Sequence, residues 1–396
     1  MYLDHLDKLA ETAQKLDLKA PAKILFGAGK LDQLTNLTTE LAGANAKCAL
    51  FGGRSTAPLL ERAAAQLRNA GFICETFSGI SGEPTPESVD AVTAKAREIK
   101  PDLIIALGGG SVIDTAKAVA ALTTNSGHIE EFLEGVGTGR TIETDPLPMI
   151  AIPTTSGTGA EMTKNAVITS YERQYKKSFR DERMIPNAVI LDPELTFSAP
   201  AGVTATTGMD ALTQLLESCI SSRRTPATCA LAYEALKKTP EALLACFNNP
   251  QDPDAHETMM LASAISGICL ANSGLGLAHG IAAALGALHK VPHGIACGIL
   301  LPHVIEYNAT GCIDELREAF ASMLGQPSAT SDTVERGIDK LKNLLPALDV
   351  PVDLKHLNLS EEELRLLAEK SKGNSLNGNP IPMDSDSVYN FLQTIS

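Results

Sequence analysis

Asp210 and Gln214 place an acid and an amide one helical turn apart in the apolar segment MDALTQLLES, residues 209–218. Because residues four apart on a helix point the same way, both side chains can contact the same ligand. A hydrogen-bonded pair that faces solvent is the simpler interpretation of these two residues alone. A functional interpretation therefore needs further side chains from elsewhere in the chain.

The histidines are concentrated, since four of the eight lie at positions 279, 289, 293 and 303. His279 and His293 each precede a glycine, which lets an imidazole ring lie close to the backbone. Imidazole and carboxylate are common ligands of Fe²⁺ and Zn²⁺. Asp210, His279 and His293 therefore predict a three-ligand metal site with a position open for a substrate oxygen, to which Gln214 can add its amide oxygen. Histidines that only cap helices are the alternative, and we assign His303 to that structural class.

The segment DLIIALGGGSVIDTAKAVA, residues 102–120, is an apolar strand followed by three glycines and a helix. Free N–H groups at a helix start attract phosphate, and glycine lets the ligand approach the backbone. The residues expected to hold a pyrophosphate are Gly108, Gly109, Gly110 and Ser111. A glycine turn that merely links strand to helix is the alternative.

A second polar loop, in MIAIPTTSGTGAE, follows another apolar strand and supplies hydroxyl groups from Thr154, Thr155, Ser156 and Thr158. Two such loops at the carboxyl ends of strands form the crevice where α/β sheets bind ligands. A dinucleotide is the simplest occupant of that crevice.

Gly53, Arg54 and Ser55 follow the strand CALF, where a protein that binds NAD often has an acid for the ribose hydroxyls. No acid is present here, and Arg54 and Ser55 could instead contact the 2′-phosphate of NADP. A plain surface turn is an equally good interpretation of these residues.

The elements that position these groups divide the chain into two parts. Between about residues 22 and 195, apolar strands alternate with helical stretches, which predicts a parallel sheet covered on both faces. From about 198–203 onward the apolar spacing is helical. We therefore predict a dinucleotide-binding α/β domain at 1–198 and an all-α domain at 199–396. Ser360 and Glu363 form a capping-box pattern within the second domain.

Composition favours a small-molecule enzyme. The chain has 47 acidic and 33 basic residues, a net charge of −14, which argues against binding nucleic acid. The amino-terminal residues 1–18 lack the pattern of a signal peptide, and no apolar run is long enough for a membrane span. The eight cysteines contain no C-x-x-C pair and are interpreted as buried thiols in a reducing compartment, so we expect a cytoplasmic protein.

Six segments resemble, in order, motifs of the iron-containing alcohol dehydrogenases of group III: GGGSVIDTAK, IPTTSGTGAE, DPEL, TGMDALTQ, GLGLAHG and VPHGIACGILLPHVIEYN. The likeness spans nearly the whole chain. It implies a Rossmann-like amino-terminal domain and a helical carboxyl-terminal domain, the two-domain fold of dehydroquinate synthase. It also implies a metal in the cleft between them and a homo-oligomer.

The resemblance assigns further residues to the cofactor. Asp114 is expected near the diphosphate or the nicotinamide, and Thr154 and Thr155 are expected to line the cofactor. The later cofactor positions are Asn165, Val167 and Lys176, with Lys177 as an alternative to Lys176.

Three positions depart from the family pattern. The usual metal set is one Asp and three His, but Gln214 stands where the second ligand is expected, and an amide is a poorer donor than imidazole. Ala283 replaces a histidine thought to relay a proton, and His289, nearby in sequence, is the candidate substitute. Gly53 stands where many relatives have an acid, which leaves NAD and NADP both open.

The expected reaction is reversible oxidation of a small alcohol to an aldehyde or ketone. Hydride passes to the nicotinamide of NAD or NADP, while Fe²⁺ or Zn²⁺ polarises the substrate oxygen. One alternative is a metal-independent NAD(P)H reductase of an activated keto acid, similar to maleylacetate reductase, with Lys176 anchoring the acid. Another is a dinucleotide-binding protein without enzymatic activity.

Overall fold

The computed structural model describes residues 17–396, so most of the segment on which the absence of a signal peptide was predicted lies outside it. The strands are β1 (Lys23–Phe26), β2 (Lys47–Gly53), β3 (Ile73–Ile80), β4 (Leu103–Gly108), β5 (Met149–Pro153), β6 (Asn165–Ser170), β7 (Tyr175–Arg180) and β8 (Ala188–Leu191). The helices that pack around the sheet are α1 (Leu34–Ala42), α2 (Ala57–Asn69), α3 (Pro86–Ile99) and α4 (Gly110–Thr124).

The remaining helices follow the last strand: α5 (Ala201–Ile220), α6 (Pro226–Leu236), α7 (Thr239–Asn248), α8 (Pro253–Ser273), α9 (Leu277–His289), α10 (His293–Asn308), α11 (Ile313–Met323), α12 (Thr333–Ala347), α13 (Glu361–Lys370) and α14 (Ser385–Gln393). They enclose one apolar core, and the side chains of α5 are buried along most of its length. Helix α13 has Ser360 as its N-cap and Glu363 completing the capping box, as predicted. The boundary between residues 198 and 199 stays a prediction.

Six strands form one parallel sheet in the order β1-β8-β5-β4-β2-β3. Along β4, Leu103, Ile105 and Leu107 pack into one apolar cluster, whereas Ile104 and Ala106 pack into another on the opposite face. Each fully buried Leu or Ile stabilises the fold by about 1.5–3 kcal/mol. The predicted parallel sheet with both faces covered is therefore confirmed.

Strands β6 and β7 form a separate antiparallel hairpin that was not predicted from the sequence. Its register pairs Asn165 with Arg180, Val167 with Ser178 and Thr169 with Lys176. The second strand, YKKSFR, has four polar or charged residues, and only Tyr175 and Phe179 are buried. An amphipathic strand of this composition is easily taken for a loop.

Within residues 17–396, no single helix is both long and apolar enough to cross a membrane. Helices α8 and α9 meet the length and composition test only as a pair bent by 102°.

Candidate active site

A cleft of about 1080 Å³ lies between the carboxyl-terminal edge of the sheet and helices α5, α9 and α10. It brings together the predicted residues Gly53, Arg54, Ser55, Gly109, Gly110, Ser111, Asp114, Thr154, Thr155, Thr158, Asn165, Val167, Lys176, Asp210, Gln214, His279 and His293. These residues come from both predicted domains, so the cleft is the place where cofactor and metal groups can meet.

The glycine-rich loop after β4 exposes its backbone at the start of α4, because Gly109 and Gly110 have no side chains. Gly109 is the N-cap of α4, and Gly110 begins the helix. A Cβ atom on Gly110 would lie 2.9 Å from the Thr158 side chain, and one on Gly109 would lie 3.4 Å from Thr155 Oγ1. The loops after β4 and β5 therefore touch, and side chains larger than hydrogen would fill the space before the helix N-terminus. That helix end is a ready anion site.

The end of β2 forms a tight turn in which the Gly53 N–H donates to Thr56 Oγ1 at 2.9 Å. Arg54 and Ser55 are exposed and line the cleft beside this turn. The segment from Ile80 to Glu83, after β3, lines the cleft as well. Sequence reasoning missed that segment, although it follows a strand of the same parallel sheet and so ends at the same edge.

Asp114 and Lys117 on α4 fix the hairpin at the cleft. Asp114 Oδ2 accepts a hydrogen bond from the Val167 N–H at 3.1 Å. Lys117 Nζ donates to Thr163 Oγ1 at 2.8 Å and to the Asn165 carbonyl at 2.9 Å. Burial raises the pKa of Asp114 to about 6 and lowers the pKa of Lys117 to about 8. Lys117 was missed, although it is the only basic residue of this largely buried helix.

Lys176 reaches across the cleft from β7. Its Nζ lies 2.9 Å from Glu83 Oε2, and only 8 % of its side chain is exposed. The neighbouring Lys177 donates instead to the Lys372 carbonyl at 3.2 Å. The ion pair joins the hairpin to the loop after β3, so both walls of the cofactor cleft are tied together there.

Asp210, His279, His293 and Cys297 form a compact cluster in which the four possible ligand atoms lie within 4.8 Å of one another. Asp210 Oδ1 lies 3.1 Å from His279 Nε2 and 3.8 Å from His293 Nε2. Asp210 belongs to α5 and His279 to the first turn of α9, whereas His293 and Cys297 belong to the first two turns of α10.

Glu217 orients His279 within this cluster. Its Oε2 lies 2.6 Å from His279 Nδ1, and its Oε1 accepts from the Ala278 N–H at 2.7 Å. The carboxylate is fully buried, caps the start of α9 and leaves His279 Nε2 facing Asp210. Metal-binding histidines are commonly held in this way by a carboxylate. Glu217 was missed, although it lies three residues beyond Gln214 on the same face of α5.

Two of the proposed ligands, His293 and Asp210, are in the protonation state that binds a cation. Burial lowers the pKa of His279, but contacts with Cys297, Asp210 and Glu217 raise it well above its ordinary value, so a metal ion has to displace the proton of this ring. Burial lowers the pKa of His293, and the nearby Lys176 ammonium lowers it further, so the ring is neutral near pH 7. Burial raises the pKa of Asp210, but the neighbouring imidazoles of His293 and His279 lower it below its ordinary value. A carboxylate and a neutral imidazole are the forms that bind metal ions. This donor set therefore fits a divalent cation.

Both parts of the chain match models of one known protein family. The model of the iron-containing alcohol dehydrogenases matches residues 21–193, and the model of the carboxyl-terminal part of the same family matches residues 204–396. The chain belongs to the iron-containing alcohol dehydrogenases. The dehydrogenase is thus an oxidoreductase that interconverts alcohols and aldehydes with NAD(P) and a metal. This outcome favours the first functional hypothesis over the metal-independent and non-enzymatic alternatives.

Two curated relatives illustrate the range of the family. The dehydrogenase is 32% identical to the NADPH-dependent butanol dehydrogenase of Clostridium saccharobutylicum, over 95% of this chain and 96% of the relative. It is 31% identical to the NAD-dependent methanol dehydrogenase of Bacillus methanolicus, over 89% and 92% of the two chains. The solved alcohol dehydrogenase of Oenococcus oeni has a TM-score of 0.89 and 28% identity, with 96% and 100% of the chains covered.

Two residues predicted for the site lie outside the cleft of the dehydrogenase. Gly108 ends β4, where a Cβ atom would lie 2.6 Å from the Val112 side chain, so this glycine allows α4 to pack on the strand. His289 is the last residue of α9, ten residues after His279, or about 15 Å along the helix axis at about 1.5 Å per residue. It does not line the cleft, so its assignment as the proton relay has to be corrected.

Gln214 lies beside the cluster of Asp210, His279, His293 and Cys297, but its amide oxygen faces away from that cluster. The oxygen accepts from Ser266 Oγ at 2.9 Å, whereas Nε2 donates to Asp210 Oδ1 and to the Thr158 carbonyl, each at 3.2 Å. The cysteines are all free, as expected of thiols in a reducing compartment, but Cys297 joins the cluster of Asp210, His279 and His293, which was not anticipated. The sequence did indicate this position, because Cys297 follows His293 by four residues and therefore lies on the same helix face.

The loop after β5 is pressed against the helices of the dehydrogenase. Gly159 has a φ of +58°, and a Cβ atom there would lie 2.5 Å from the Gly267 Cα in α8. Thr158, the preceding residue, accepts from Gln214 through its carbonyl. The backbones of the loop and of α8 are thus in direct contact near Gln214 and Asp210.

Proposed function

We propose that this enzyme is an NADP-preferring dehydrogenase of short alcohols whose metal is held by Asp210, His279 and His293. The observation that carries the proposal is the convergence of these three donors in the cleft lined by the glycine-rich loop. The names of the two curated relatives, which refer to butanol and methanol, support a short alcohol as substrate.

A bound metal supplies a Lewis acid that polarises the substrate oxygen. Glu217 keeps His279 Nε2 directed at Asp210, so the donor set is preorganised. Leu270 and Leu275 line the cleft and exclude water from the reacting groups. Ala283 and His289 offer no relay at the cleft, which leaves threonine hydroxyls to carry the proton. Those that line the cleft on α5 are Thr206 and Thr207.

The cofactor is proposed to extend from the end of β2 to the hairpin. Gly109, Gly110 and Ser111 bind the pyrophosphate at the start of α4, as bare helix N-termini do. Asp114, Thr154, Thr155, Thr158, Asn165, Val167 and Lys176 surround the nicotinamide half. Arg54 and Ser55 contact the 2′-phosphate, since no acid at Gly53 repels it.

Metal dependence is tested with Asp210→Ala and His279→Ala, assayed for bound metal and for turnover of short alcohols and aldehydes with NAD and NADP. Fe²⁺ and Zn²⁺ are supplied in separate reactions. Both variants are expected to lose metal and turnover. His303→Ala, on the same helix as His293 but outside the cleft, is the matched control and retains both. Turnover that survives in either variant overturns the proposal.

Cofactor preference is tested with Arg54→Ala and Gly53→Asp. Loss of charge-assisted hydrogen bonds worth about 1.5–3 kcal/mol raises the KM for NADPH roughly 10- to 150-fold in Arg54→Ala and leaves that for NADH unchanged. A Cβ atom on Gly53 would be 3.4 Å from the Ile80 carbonyl, an ordinary van der Waals contact, and the aspartate is expected to favour NADH. Arg62→Ala, an exposed arginine of α2, is the control. Equal KM changes for both cofactors contradict the assignment.

Cytoplasmic location and homo-oligomerisation remain predictions from composition and family resemblance. Light scattering of the purified protein measures the mass of the assembly in solution. A monomeric mass near 41.7 kDa would contradict the predicted homo-oligomer.

A further inference from the structure

Cys297 is a fourth possible metal ligand in the cluster. It follows His293 by one turn of α10, and its Sγ lies 3.8 Å from His293 Nε2. Its side chain is completely buried, and its sulfur lies within 4.8 Å of the ligand atoms of Asp210 and His279. The thiol therefore faces the same point as the carboxylate and the two imidazoles.

Gln214 is poorly arranged to be that fourth ligand. Its Nε2 donates to two acceptors, Asp210 Oδ1 and the Thr158 carbonyl. Turning the amide over would bring its oxygen to the cluster, but it would also set that oxygen against the Thr158 carbonyl. Two acceptors facing each other leave this partly buried carbonyl without its partner, a loss of up to about 1–3 kcal/mol. The observed orientation instead makes Gln214 a donor that holds Asp210 in place.

We propose that Cys297, as a thiolate, is the fourth protein ligand of the metal, and that Gln214 positions Asp210 without binding the metal. This inference rests on the proposed metal site of Asp210, His279 and His293. On binding, the Cys297 sulfur gains a bond to the cation and releases its proton to solvent. A carboxylate and a thiolate together neutralise a divalent cation, whereas an amide in that place leaves one positive charge.

The donor set has a consequence for metal choice. Thiolate is a soft ligand that favours Zn²⁺, whereas Mn²⁺ favours carboxylates, carbonyls and water. Removal of the thiolate is expected to weaken Zn²⁺ binding more than Mn²⁺ binding. The loss for Zn²⁺ should be at least the roughly 10- to 100-fold that follows removal of a group supporting a ligand.

Cobalt substitution tests the sulfur bond without an activity assay. Metal-free protein is titrated with Co²⁺, and the sulfur-to-cobalt charge-transfer band is recorded in the near ultraviolet. The band is expected in the wild type and in Gln214→Ala, and it is expected to be absent in Cys297→Ser. Cys246→Ser, which changes a buried cysteine of α7 outside the cluster, is the matched control and retains the band.

The outcomes separate this inference from the proposed function. Visible cobalt bands that His279→Ala abolishes, without a charge-transfer band in the wild type, overturn the role of Cys297 and leave the metal site standing. Failure of the wild type to bind Co²⁺, or binding that His279→Ala leaves unchanged, overturns the metal site itself. If Cys297→Ser does not fold, X-ray absorption of the zinc-loaded wild type decides, because a ligating thiolate gives a Zn–S distance of about 2.3 Å.

Discussion

Glu217→Gln is expected to weaken metal binding although Glu217 is not in the proposed ligand set. The carboxylate accepts from His279 Nδ1 at 2.6 Å and from the Ala278 N–H at 2.7 Å, and it is fully buried. Glutamine has nearly the same shape but only one acceptor oxygen, and its amide hydrogens would face one of these two donors. His279 Nε2 would then no longer be fixed toward Asp210.

The size of the effect follows from these contacts. Loss of a carboxylate that supports a metal-binding histidine typically weakens metal affinity about 10- to 100-fold, which is about 1.4–2.7 kcal/mol. The metal-free protein should lose a further 1–3 kcal/mol or so of unfolding free energy, because one buried donor is left without a partner. Both losses are expected in the same variant.

Competition with a chromophoric chelator measures the Zn²⁺ affinity, and urea unfolding of the metal-free protein measures stability. Glu161→Gln, which alters the other fully buried glutamate of residues 17–396, is the matched control because Glu161 lies outside the metal cluster. Unchanged Zn²⁺ affinity in Glu217→Gln, or a loss equal to that in Glu161→Gln, would refute the positioning role.

Three further predictions concern stability. Lys117→Met should lower the free energy of unfolding in urea by about 3–5 kcal/mol, because it removes a buried cation and leaves Thr163 Oγ1 and the Asn165 carbonyl without their donor. A change below about 1 kcal/mol would contradict this. Burial raises the pKa of Asp114 from 3.8 to about 6, so this residue stabilises the fold fully below pH 3.8 and the stabilisation is lost as the pH rises through about 6. The free energy of unfolding in urea should therefore fall less between these pH values in Asp114→Asn than in the wild type. The added methyl group of Gly267→Ala would overlap Gly159 and should lower the stability measured by thermal unfolding by about 1–3 kcal/mol. Gly202→Ala, with nothing within 4 Å of its Cβ position, should change the stability little. Equal losses in the two variants would refute the close contact.

The sheet and the convergence of the cleft residues could be inferred from the sequence because both follow from local pattern. The apolar alternation around Leu103–Leu107 requires two covered faces. Parallel strands end at one edge, so the loops after β4 and β5 had to meet. Asp210 and Gln214 shared a helix face by spacing alone. In each case the information lies within about one helical turn or one strand.

Other features depend on contacts between distant segments, which spacing does not encode. His289 is near His279 in sequence, but the two residues lie near opposite ends of α9, so His289 is far from the cleft. Glu217 acquires its role only because the start of α9 is placed against α5. The orientation of the Gln214 amide depends on Thr158 and Ser266, which come from two other segments.

The contact of Gly159 with Gly267 leaves no side chain between the loop after β5 and helix α8. Because the two backbones touch directly, a side chain at either position would have to push the loop after β5 and helix α8 apart. Gln214 links the Thr158 carbonyl, next to Gly159, to Asp210, so this close contact also fixes the distance between the loop after β5 and the carboxylate of the proposed metal site.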